Sequence, residues 1–237
     1  WKFPEEIVSC EWLKERLTDK TIRLYDCTAY LHYTDDHPSK PYDVVSGLEN
    51  YKKKHIPTAA FLDLQEELSE QKSSYSFTLP EYHDLAARFM KLGVGNPFHI
   101  ILYSRNGVQW ATRVWWMLFI LGFKRVSVLD GGIKEWEALG YEIETSVTSY
   151  SPAKFEENID TSVFVDKDLT LGAMSKTDCT LLNALTSNIH KGENPRYGRP
   201  GRIPGSLNIP FHELVDSETG KLVSPEKAMK VFSKENI

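Results

Sequence analysis

Six consecutive residues, at positions 104–109, have the types and spacing of a loop that holds an anion. They follow the apolar run HIILY, typical of a buried strand, and precede a run typical of a buried helix. Backbone N–H groups at the start of a helix attract anions, and a glycine lets several of them converge. We therefore predict an anion-binding loop made of Ser104, Arg105, Asn106, Gly107, Val108 and Gln109.

The first residue of this loop decides whether it can act as a nucleophile. A cysteine there would be activated as a thiolate by the same N–H groups, but the position holds Ser104. A serine hydroxyl is hardly ionised at neutral pH, we recognise no partner base nearby, and oxygen cannot carry sulfur as a persulfide. We expect the loop to be degenerate, either inert or a weak anion site, with no catalytic residue.

The three cysteines, Cys10, Cys27 and Cys179, are too few and too scattered for a disulfide framework or a zinc site. Cys10 follows Ser9, a plausible N-cap, so the start of a helix predicts a modestly lowered thiol pKa. Cys27 ends one predicted strand and Cys179 opens another, and cysteines at such positions are usually buried. We expect none of the three to be catalytic, and their sparse use indicates a reducing, intracellular compartment.

A short segment at 32–37, HYTDDH, contains residue types that bind metal ions. It lies before Pro38 in a polar stretch, and no helical or strand spacing aligns its side chains. We expect a solvated loop, and the sequence predicts no metal and no cofactor.

Composition limits the class of protein further. The 237 residues are 41% apolar, enough for one large domain or two ordinary ones, and the net charge of -5 gives no reason to expect nucleic acid or an anionic membrane. The longest apolar run, 114–122, is far shorter than the roughly 20 residues of a spanning helix. We expect a cytoplasmic protein, or a mitochondrial one if a targeting peptide preceding Trp1 has been removed.

Alternating segments surround the loop up to position 141. The predicted strands are 21–26, 60–64, 99–103 and 125–129, and the predicted helices are 79–92, 109–121 and 133–139. This α/β order predicts a parallel sheet covered by helices. The polar stretch 142–158 predicts a linker, after which a helix at 165–174 and a strand at 179–183 open a second region, 159–237.

A short motif that occurs twice indicates an internal duplication. HIPTAAF at 55–61 resembles RIPGSLN at 202–208, with a basic residue, Ile-Pro, two small residues and then a strand. The anion loop begins 49 residues after His55, and the same offset from Arg202 reaches position 251, beyond Ile237. We expect the second copy to be incomplete here and the natural chain to continue.

The loop, the following WATRVWWM and the segment VSVLDGG at 126–132 resemble the N-terminal domain of the two-domain rhodaneses, the thiosulfate and 3-mercaptopyruvate sulfurtransferases. The paired Ile-Pro segments fit the tandem copies of that family. The resemblance implies two rhodanese-like domains, 1–141 and 159–237, each a parallel sheet flanked by helices, the second incomplete. It also implies a first domain that has lost its cysteine and a second that carries it on a six-residue loop.

The resemblance implies a two-step chemistry. A cysteine thiolate takes the outer sulfur of a small anionic donor, thiosulfate or 3-mercaptopyruvate, and passes it from a persulfide to cyanide or a thiol, with a thioredoxin-like protein as one candidate acceptor. The nucleophile is expected beyond residue 237, so this chain alone is predicted to be inactive. The competing hypothesis is a non-enzymatic, degenerate tandem protein that binds anions or a partner protein. Ser104 favours neither, because active members of the family also lack that cysteine.

A phosphatase with a related loop ranks low, since it also needs a cysteine and this loop is short for a phosphate ester.

By the same resemblance, arginines before the second Ile-Pro segment hold the carboxylate of 3-mercaptopyruvate. This chain has Arg196, Arg199 and Arg202 there, and guanidinium groups match carboxylate geometry. The stretch 183–191 lacks the further arginines expected, so ordinary surface arginines on an exposed loop are an equal alternative. Arg113, beside two tryptophans, is predicted to be a buried, paired arginine that stabilises the first domain, with a catalytic role as the weaker alternative.

Overall fold

The computed structural model describes residues 2–34, 41–196 and 199–237, and these form two compact units. The first unit contains residues 2–31, 44–160 and 219–221. The second contains 32–34, 41–43, 161–196, 199–218 and 222–237.

Helices and strands alternate through residue 138, except that β2, β3 and β4 follow one another directly. In chain order they are β1 (Ile7–Val8), α1 (Cys10–Arg16), β2 (Ile22–Asp26), β3 (Ala29–Tyr33), β4 (Tyr42–Ser46), α2 (Leu48–Lys53), β5 (Ala60–Phe61), α3 (Tyr82–Lys91), β6 (His99–Tyr103), α4 (Gln109–Ile120), β7 (Val126–Leu129) and α5 (Gly132–Ala138). Later elements are α6 (Lys167–Ala173), β8 (Leu182–Asn183), α7 (Ser187–His190), β9 (Leu207–Asn208) and α8 (Pro225–Ser233).

A parallel five-stranded sheet, ordered β1-β7-β6-β2-β5, forms the centre of the first unit. The central strand β6 is a continuous apolar run because strands covered on both faces bury both sets of side chains. Leu24, Ile101 and Tyr103 from the strands pack with Ile133 and Trp136 of α5 in one buried core. The α/β prediction, a parallel sheet flanked by helices, is confirmed.

Some element boundaries differ from the prediction for local reasons. The strand predicted at 60–64 ends at Phe61, because the Asp63 carboxylate accepts hydrogen bonds from the amides of Gln65 and Glu66 and turns the chain. The helix predicted from 79 begins at Tyr82, since Glu81 caps it and Pro80 precedes it. The two-stranded ribbon of β3 and β4 was not predicted.

The segment 142–158, predicted as a linker, belongs to the first unit in the structure. His55 and Glu144 exchange both backbone hydrogen bonds at 2.9 Å, and Asn96 bridges Lys154 in antiparallel fashion. Its last residue, Asn158, donates its amide to the Leu121 carbonyl oxygen. The polar composition of the segment 142–158 does not reveal this attachment, because these hydrogen bonds join main-chain atoms.

A short distant segment, Thr219–Lys221, also lies in the first unit. The Lys221 ammonium is 2.5 Å from the Glu135 carboxylate of α5, and the Glu135 side chain is mostly buried. This ion pair raises the pKa of Lys221 and ties the late segment to the first unit.

The two Ile-Pro segments have the same local geometry within their own units. Thr58 and Gly205, each next after the proline, have left-handed φ angles of 70° and 78°. The strand that follows each Ile-Pro segment pairs with an earlier strand, β5 with β2 and β9 with β8. Each earlier strand ends in a side chain, Asp26 or Asn183, that accepts a hydrogen bond from the backbone amide two residues later. This equivalence supports the predicted duplication.

No helix in the described part of the chain is long and apolar enough to cross a membrane.

Candidate functional site

The loop 104–109 joins the carboxyl end of β6 to the start of α4. Its first residue follows Tyr103, which pairs in register with Asp26 at the carboxyl end of β2. Parallel strands present their carboxyl ends at one edge of a sheet, the edge where ligands bind in open α/β sheets. The strand, loop and helix therefore lie in the order expected from the sequence.

Ser104 is buried and donates its hydroxyl hydrogen to the Gly107 carbonyl oxygen. The hydroxyl therefore faces a hydrogen-bond acceptor, whereas a loop that stabilises a thiolate must direct several N–H donors at the sulfur. This bond closes the loop across its own opening. The geometry argues against activation of a nucleophile at position 104.

Arg105 fastens the loop to neighbouring elements. Its amide donates to Thr28 Oγ1 at 3.0 Å, its guanidinium donates to the Lys54 carbonyl oxygen, and its Nε lies 3.8 Å from Asp26 Oδ2. Burial raises the pKa of Asp26, against the opposing effects of Thr28 and the Arg105 charge. The arginine thus links the loop to the ends of β2 and α2, while its Nε and Asp26 Oδ2 form no hydrogen bond with the described residues.

The remaining residues close the loop further. Asn106 Nδ2 donates to the Ala29 carbonyl oxygen at 2.8 Å, and Val108 leads into α4 without a side-chain cap. Gly107 has a φ of 130°, and a Cβ there would lie 2.2 Å from Gln109 Oε1. The φ of 130° is a conformation that glycine adopts readily and other residues adopt rarely.

Sequence reasoning missed the anchors of this loop, Asp26, Thr28 and Lys54. The available signal was Asp26 two residues before Thr28 at the end of a strand, a spacing typical of an Asx turn. Their contacts with residues 104–109 depend on tertiary structure and have no local pattern.

The prediction that helix α1 lowers the pKa of Cys10 was wrong. Ser9 does cap α1, but burial, with a smaller contribution from Glu135, raises the pKa of Cys10 to about 12. Its Sγ lies 3.8 Å from the carbonyl oxygens of Asp130 and Gly132, both acceptors. The desolvation of the thiolate outweighs the attraction of the helix.

The other two cysteines differ from each other. Burial raises the pKa of Cys27 well above its usual value, as a core position requires. Cys179 is exposed, contrary to the expected burial, because β8 begins only at Leu182. It lies in an irregular segment at the amino end of β8, away from the carboxyl edge where a loop nucleophile would stand.

The three arginines before the second Ile-Pro segment have different surroundings. The Arg196 guanidinium lies 4.1 Å above the Tyr33 ring, a cation–π contact, and Arg202 Nη1 donates to the His190 carbonyl oxygen at 3.4 Å. Arg199 is exposed, and positions 197–198 lie outside the described residues. The described contacts of Arg196 and Arg202 thus involve different partners, and neither contact uses a carboxylate.

Arg113 is half-buried and donates to the Phe77 carbonyl oxygen, with its guanidinium 5.7 Å from the Phe77 ring. In the predicted metal-free segment 32–37, His32 and Tyr33 belong to β3, whereas positions 35–37 lie outside the described residues. Within the described ranges, no group of three or more His, Cys, Asp or Glu side chains could hold a metal ion.

Comparison with known proteins gives matches along nearly the whole chain. The rat (Rattus norvegicus) 3-mercaptopyruvate sulfurtransferase is 31% identical over 240 residues, covering 98% of this chain and 77% of the relative. The Arabidopsis thaliana protein "Thiosulfate/3-mercaptopyruvate sulfurtransferase 1, mitochondrial" is 30% identical, covering 98% of this chain and 65% of the relative. The chain thus spans just under two thirds of the plant relative.

Solved structures agree. The crystal structure of SseA from Escherichia coli, described as a 3-mercaptopyruvate sulfotransferase of "Rhodanese" fold, has 26% identity and a TM-score of 0.79, covering 98% of this chain and 84% of that chain. The family model of the Rhodanese-like domain matches residues 9–139, more than half of the sequence, and this range holds β6, the closed loop and α4. The chain belongs to the rhodanese family.

Proposed function

We propose that this chain is part of a sulfurtransferase that moves a sulfane sulfur from a small anionic donor, thiosulfate or 3-mercaptopyruvate, to a thiol or to cyanide. The observation that carries the proposal is similarity to the rat 3-mercaptopyruvate sulfurtransferase over 98% of this chain. The Arabidopsis relative is named for both donors, so the donor stays open between the two. A thioredoxin-like protein is our candidate physiological acceptor, and the compartment we propose is the cytoplasm or the mitochondrion.

The proposed reaction has two steps through one cysteine. The thiolate forms an S–S bond to the transferable sulfur of the donor. With thiosulfate the S–S bond of the donor breaks and sulfite leaves. With 3-mercaptopyruvate the C–S bond breaks, and the carbon that held the sulfur takes up a proton to give pyruvate. The acceptor then attacks the outer sulfur of the persulfide. This attack converts cyanide to thiocyanate, or a thiol to a new persulfide, and releases the cysteine as a thiolate.

We propose that the nucleophile is a cysteine of a second, tandem rhodanese-like domain, outside residues 1–237. Cys10 and Cys27 are buried with raised pKa values, and Cys179 lies at the wrong end of β8. The parallel pair β8 and β9 repeats the geometry of β2 and β5, so a loop after a further strand beside β8 would match the position of 104–109. This chain alone is then inactive.

In the proposed enzyme Arg196, Arg199 and Arg202 bind the carboxylate or sulfonate of the donor. Arginine suits this role because its planar donors match both oxyanions. The contact of Arg196 with the Tyr33 ring restricts its guanidinium plane without using a carboxylate partner.

The test measures sulfur on the protein. The whole natural protein and residues 1–237 are each treated with either donor, and peptide mass spectrometry follows one added sulfur atom before and after cyanide. We expect the whole protein to gain one sulfur on one cysteine and to release it as thiocyanate, and residues 1–237 to gain none. A whole protein that takes sulfur from neither donor would overturn the proposal and favour a non-enzymatic protein that binds anions or a partner.

A further inference from the structure

Arg196, one of the three proposed donor-binding arginines, is held both at its backbone and at its guanidinium. Its amide donates to Asn194 Oδ1 at 3.0 Å, an Asx turn that fixes the backbone at the root of the side chain. Its guanidinium carbon lies 4.1 Å from the centroid of the Tyr33 ring, a cation–π contact. The two contacts together restrict where the guanidinium lies.

Tyr33 is the last residue of β3, and its ring is itself supported by the neighbouring strand. The Tyr42 ring of β4 packs edge-on against it, with centroids 6.0 Å apart and an interplanar angle of 81°. The Thr34 amide, one residue after β3, donates to the Pro41 carbonyl oxygen, one residue before β4, at 3.1 Å. These residues belong to the second unit, as Arg196 does, although they come from the first half of the chain.

The contact with Tyr33 leaves the N–H donors of the Arg196 guanidinium available. An aromatic ring attracts a cation through its π-face and does not require an N–H group to be used on an oxygen. Within the described ranges, the side chain of Arg196 forms no hydrogen bond to an oxygen and no ion pair with a carboxylate. Arg202, by contrast, donates Nη1 to the His190 carbonyl oxygen at 3.4 Å. The Arg196 guanidinium is therefore oriented and still able to bind an oxyanion.

We propose that Tyr33 is a positioning residue that orients Arg196 for the carboxylate of 3-mercaptopyruvate and so favours this donor over thiosulfate. The inference rests on the proposed function, in which Arg196 binds the donor. A carboxylate is planar, and two parallel N–H···O bonds form only when the guanidinium plane is turned towards it. The oxygens of thiosulfate surround a tetrahedral sulfur, so an arginine finds acceptors over a wider range of orientations. An arginine that is held by a ring therefore improves the binding of the carboxylate more than the binding of thiosulfate.

The contact itself is tested on residues 1–237 by NMR. Protons above an aromatic ring resonate upfield, so the side-chain protons of Arg196 should be shifted in wild type, keep the shift in Tyr33→Phe and lose it in Tyr33→Leu. Tyr75→Leu is the matched control, because it makes the same change at a tyrosine that is 75% exposed in the first unit. Arg196 resonances that Tyr33→Leu leaves unchanged would overturn the inference.

The effect on the donor is tested on the whole natural protein with both donors. Tyr33→Leu should raise KM for 3-mercaptopyruvate about two- to fivefold, the size of an exposed cation–π contact, with kcat unchanged and a smaller rise for thiosulfate. Tyr33→Phe should keep the wild-type values. General damage to the fold would affect both donors alike, so equal changes for the two donors, or an unchanged KM for 3-mercaptopyruvate, would overturn the inference.

A double-mutant cycle tests whether Tyr33 acts through Arg196. Arg196→Lys keeps the charge but loses the planar donors, so adding Tyr33→Leu to it should raise KM for 3-mercaptopyruvate little further. Fully additive effects would contradict the assignment of Tyr33 to positioning. Uptake of sulfur from thiosulfate but not from 3-mercaptopyruvate would also overturn the inference and leave the proposed sulfurtransferase intact, whereas uptake from neither donor is the failure of the proposed function.

Discussion

Ser104 donates its hydroxyl hydrogen to the Gly107 carbonyl oxygen, so the side chain at position 104 faces an acceptor. The location of this loop follows from the sequence, because an apolar strand, six short or polar residues and a helix are local signals. Its chemistry does not follow from them. The Arg105 N–H, for example, donates to Thr28 Oγ1, a partner 77 residues away that only tertiary structure brings to the loop.

Restoring a thiol in this loop should not restore chemistry. In Ser104→Cys the sulfur faces the same carbonyl oxygen, which disfavours a thiolate. We expect no sulfur at position 104 after treatment with thiosulfate or 3-mercaptopyruvate, as measured by peptide mass spectrometry. Ser104→Ala is the matched control, and an added sulfur at position 104 alone would show that the loop can still activate a nucleophile.

The three thiols should differ sharply in reactivity. Burial raises the pKa of Cys10 to about 12 and that of Cys27 well above its usual value, whereas Cys179 is exposed. At about pH 8, iodoacetamide should therefore modify only Cys179 in the folded protein and all three thiols in denaturant. Mass spectrometry counts the adducts. In Cys179→Ser the folded protein should take up none, and rapid modification of Cys10 would contradict its assignment to the core.

Thr58 has a φ of 70°, a conformation that a β-branched residue adopts at a cost. Replacing it in Thr58→Gly keeps the hydrogen bond that its N–H donates to Glu144 Oε1 and the one that its carbonyl oxygen accepts from the Tyr150 hydroxyl. The free energy of unfolding should therefore rise by roughly 0.5–1 kcal/mol. The second motif supplies the reverse control, since Gly205→Thr at a φ of 78° should destabilise its own unit. Urea denaturation measures both, and a loss of stability in Thr58→Gly would show that the threonine side chain contributes more than its strain.

At the scale of elements, predictions succeeded where one local pattern decides the structure. The strand β6 matches its predicted bounds residue for residue, because an apolar run lies between Pro97 and a polar loop. The strand predicted at 179–183 shrinks to Leu182–Asn183, the two residues that pair with β9. The sequence did not predict that 142–158 is attached to the first unit, because main-chain hydrogen bonds do not depend on the pattern of side chains.

The junction between α5 and the closed loop should be sensitive to one methyl group. A Cβ at Gly132 would lie 2.4 Å from the Ser104 carbonyl oxygen, and its φ is 55°. Gly132→Ala should lower the free energy of unfolding by about 2–4 kcal/mol, from backbone strain plus overpacking. Gly140→Ala is the matched control, because its φ of 70° is similar but no atom lies within 4 Å of the added Cβ. Gly140→Ala should lower the free energy of unfolding by only about 1 kcal/mol. Equal losses of stability in the two variants would mean that the close contact with the Ser104 carbonyl oxygen does not matter for stability.

At the scale of the whole molecule, the two units differ in how much apolar surface they bury. The first unit holds a continuous core around β6 and β2, with Trp136 fully buried. Among the described residues of the second unit the buried apolar ones are few (Ile189, Ile209, Val223, Ala228 and Val231), and large side chains such as Leu169 and Met229 are exposed. Burial of apolar surface drives folding, so the second unit should be the less stable.

The described tryptophans, Trp12, Trp110, Trp115, Trp116 and Trp136, all lie in the first unit. In a Trp1→Phe background, tryptophan fluorescence therefore reports on that unit alone, while amide exchange at α8 reports on the second. We expect α8 to lose protection at a lower urea concentration than the fluorescence transition of residues 1–237. Coincident transitions would show that the two units unfold together.

The ion pair of Lys221 with Glu135 sets an order of events during synthesis. The ribosome adds about 5–20 residues per second, so the roughly 60 residues between the end of the main first-unit segment at 160 and Lys221 take about 3–12 seconds to make. During that interval the Glu135 carboxylate has no ion pair with Lys221, because Lys221 has not yet been synthesised. The last contact of the first unit forms only after β8, α7 and β9 have left the ribosome.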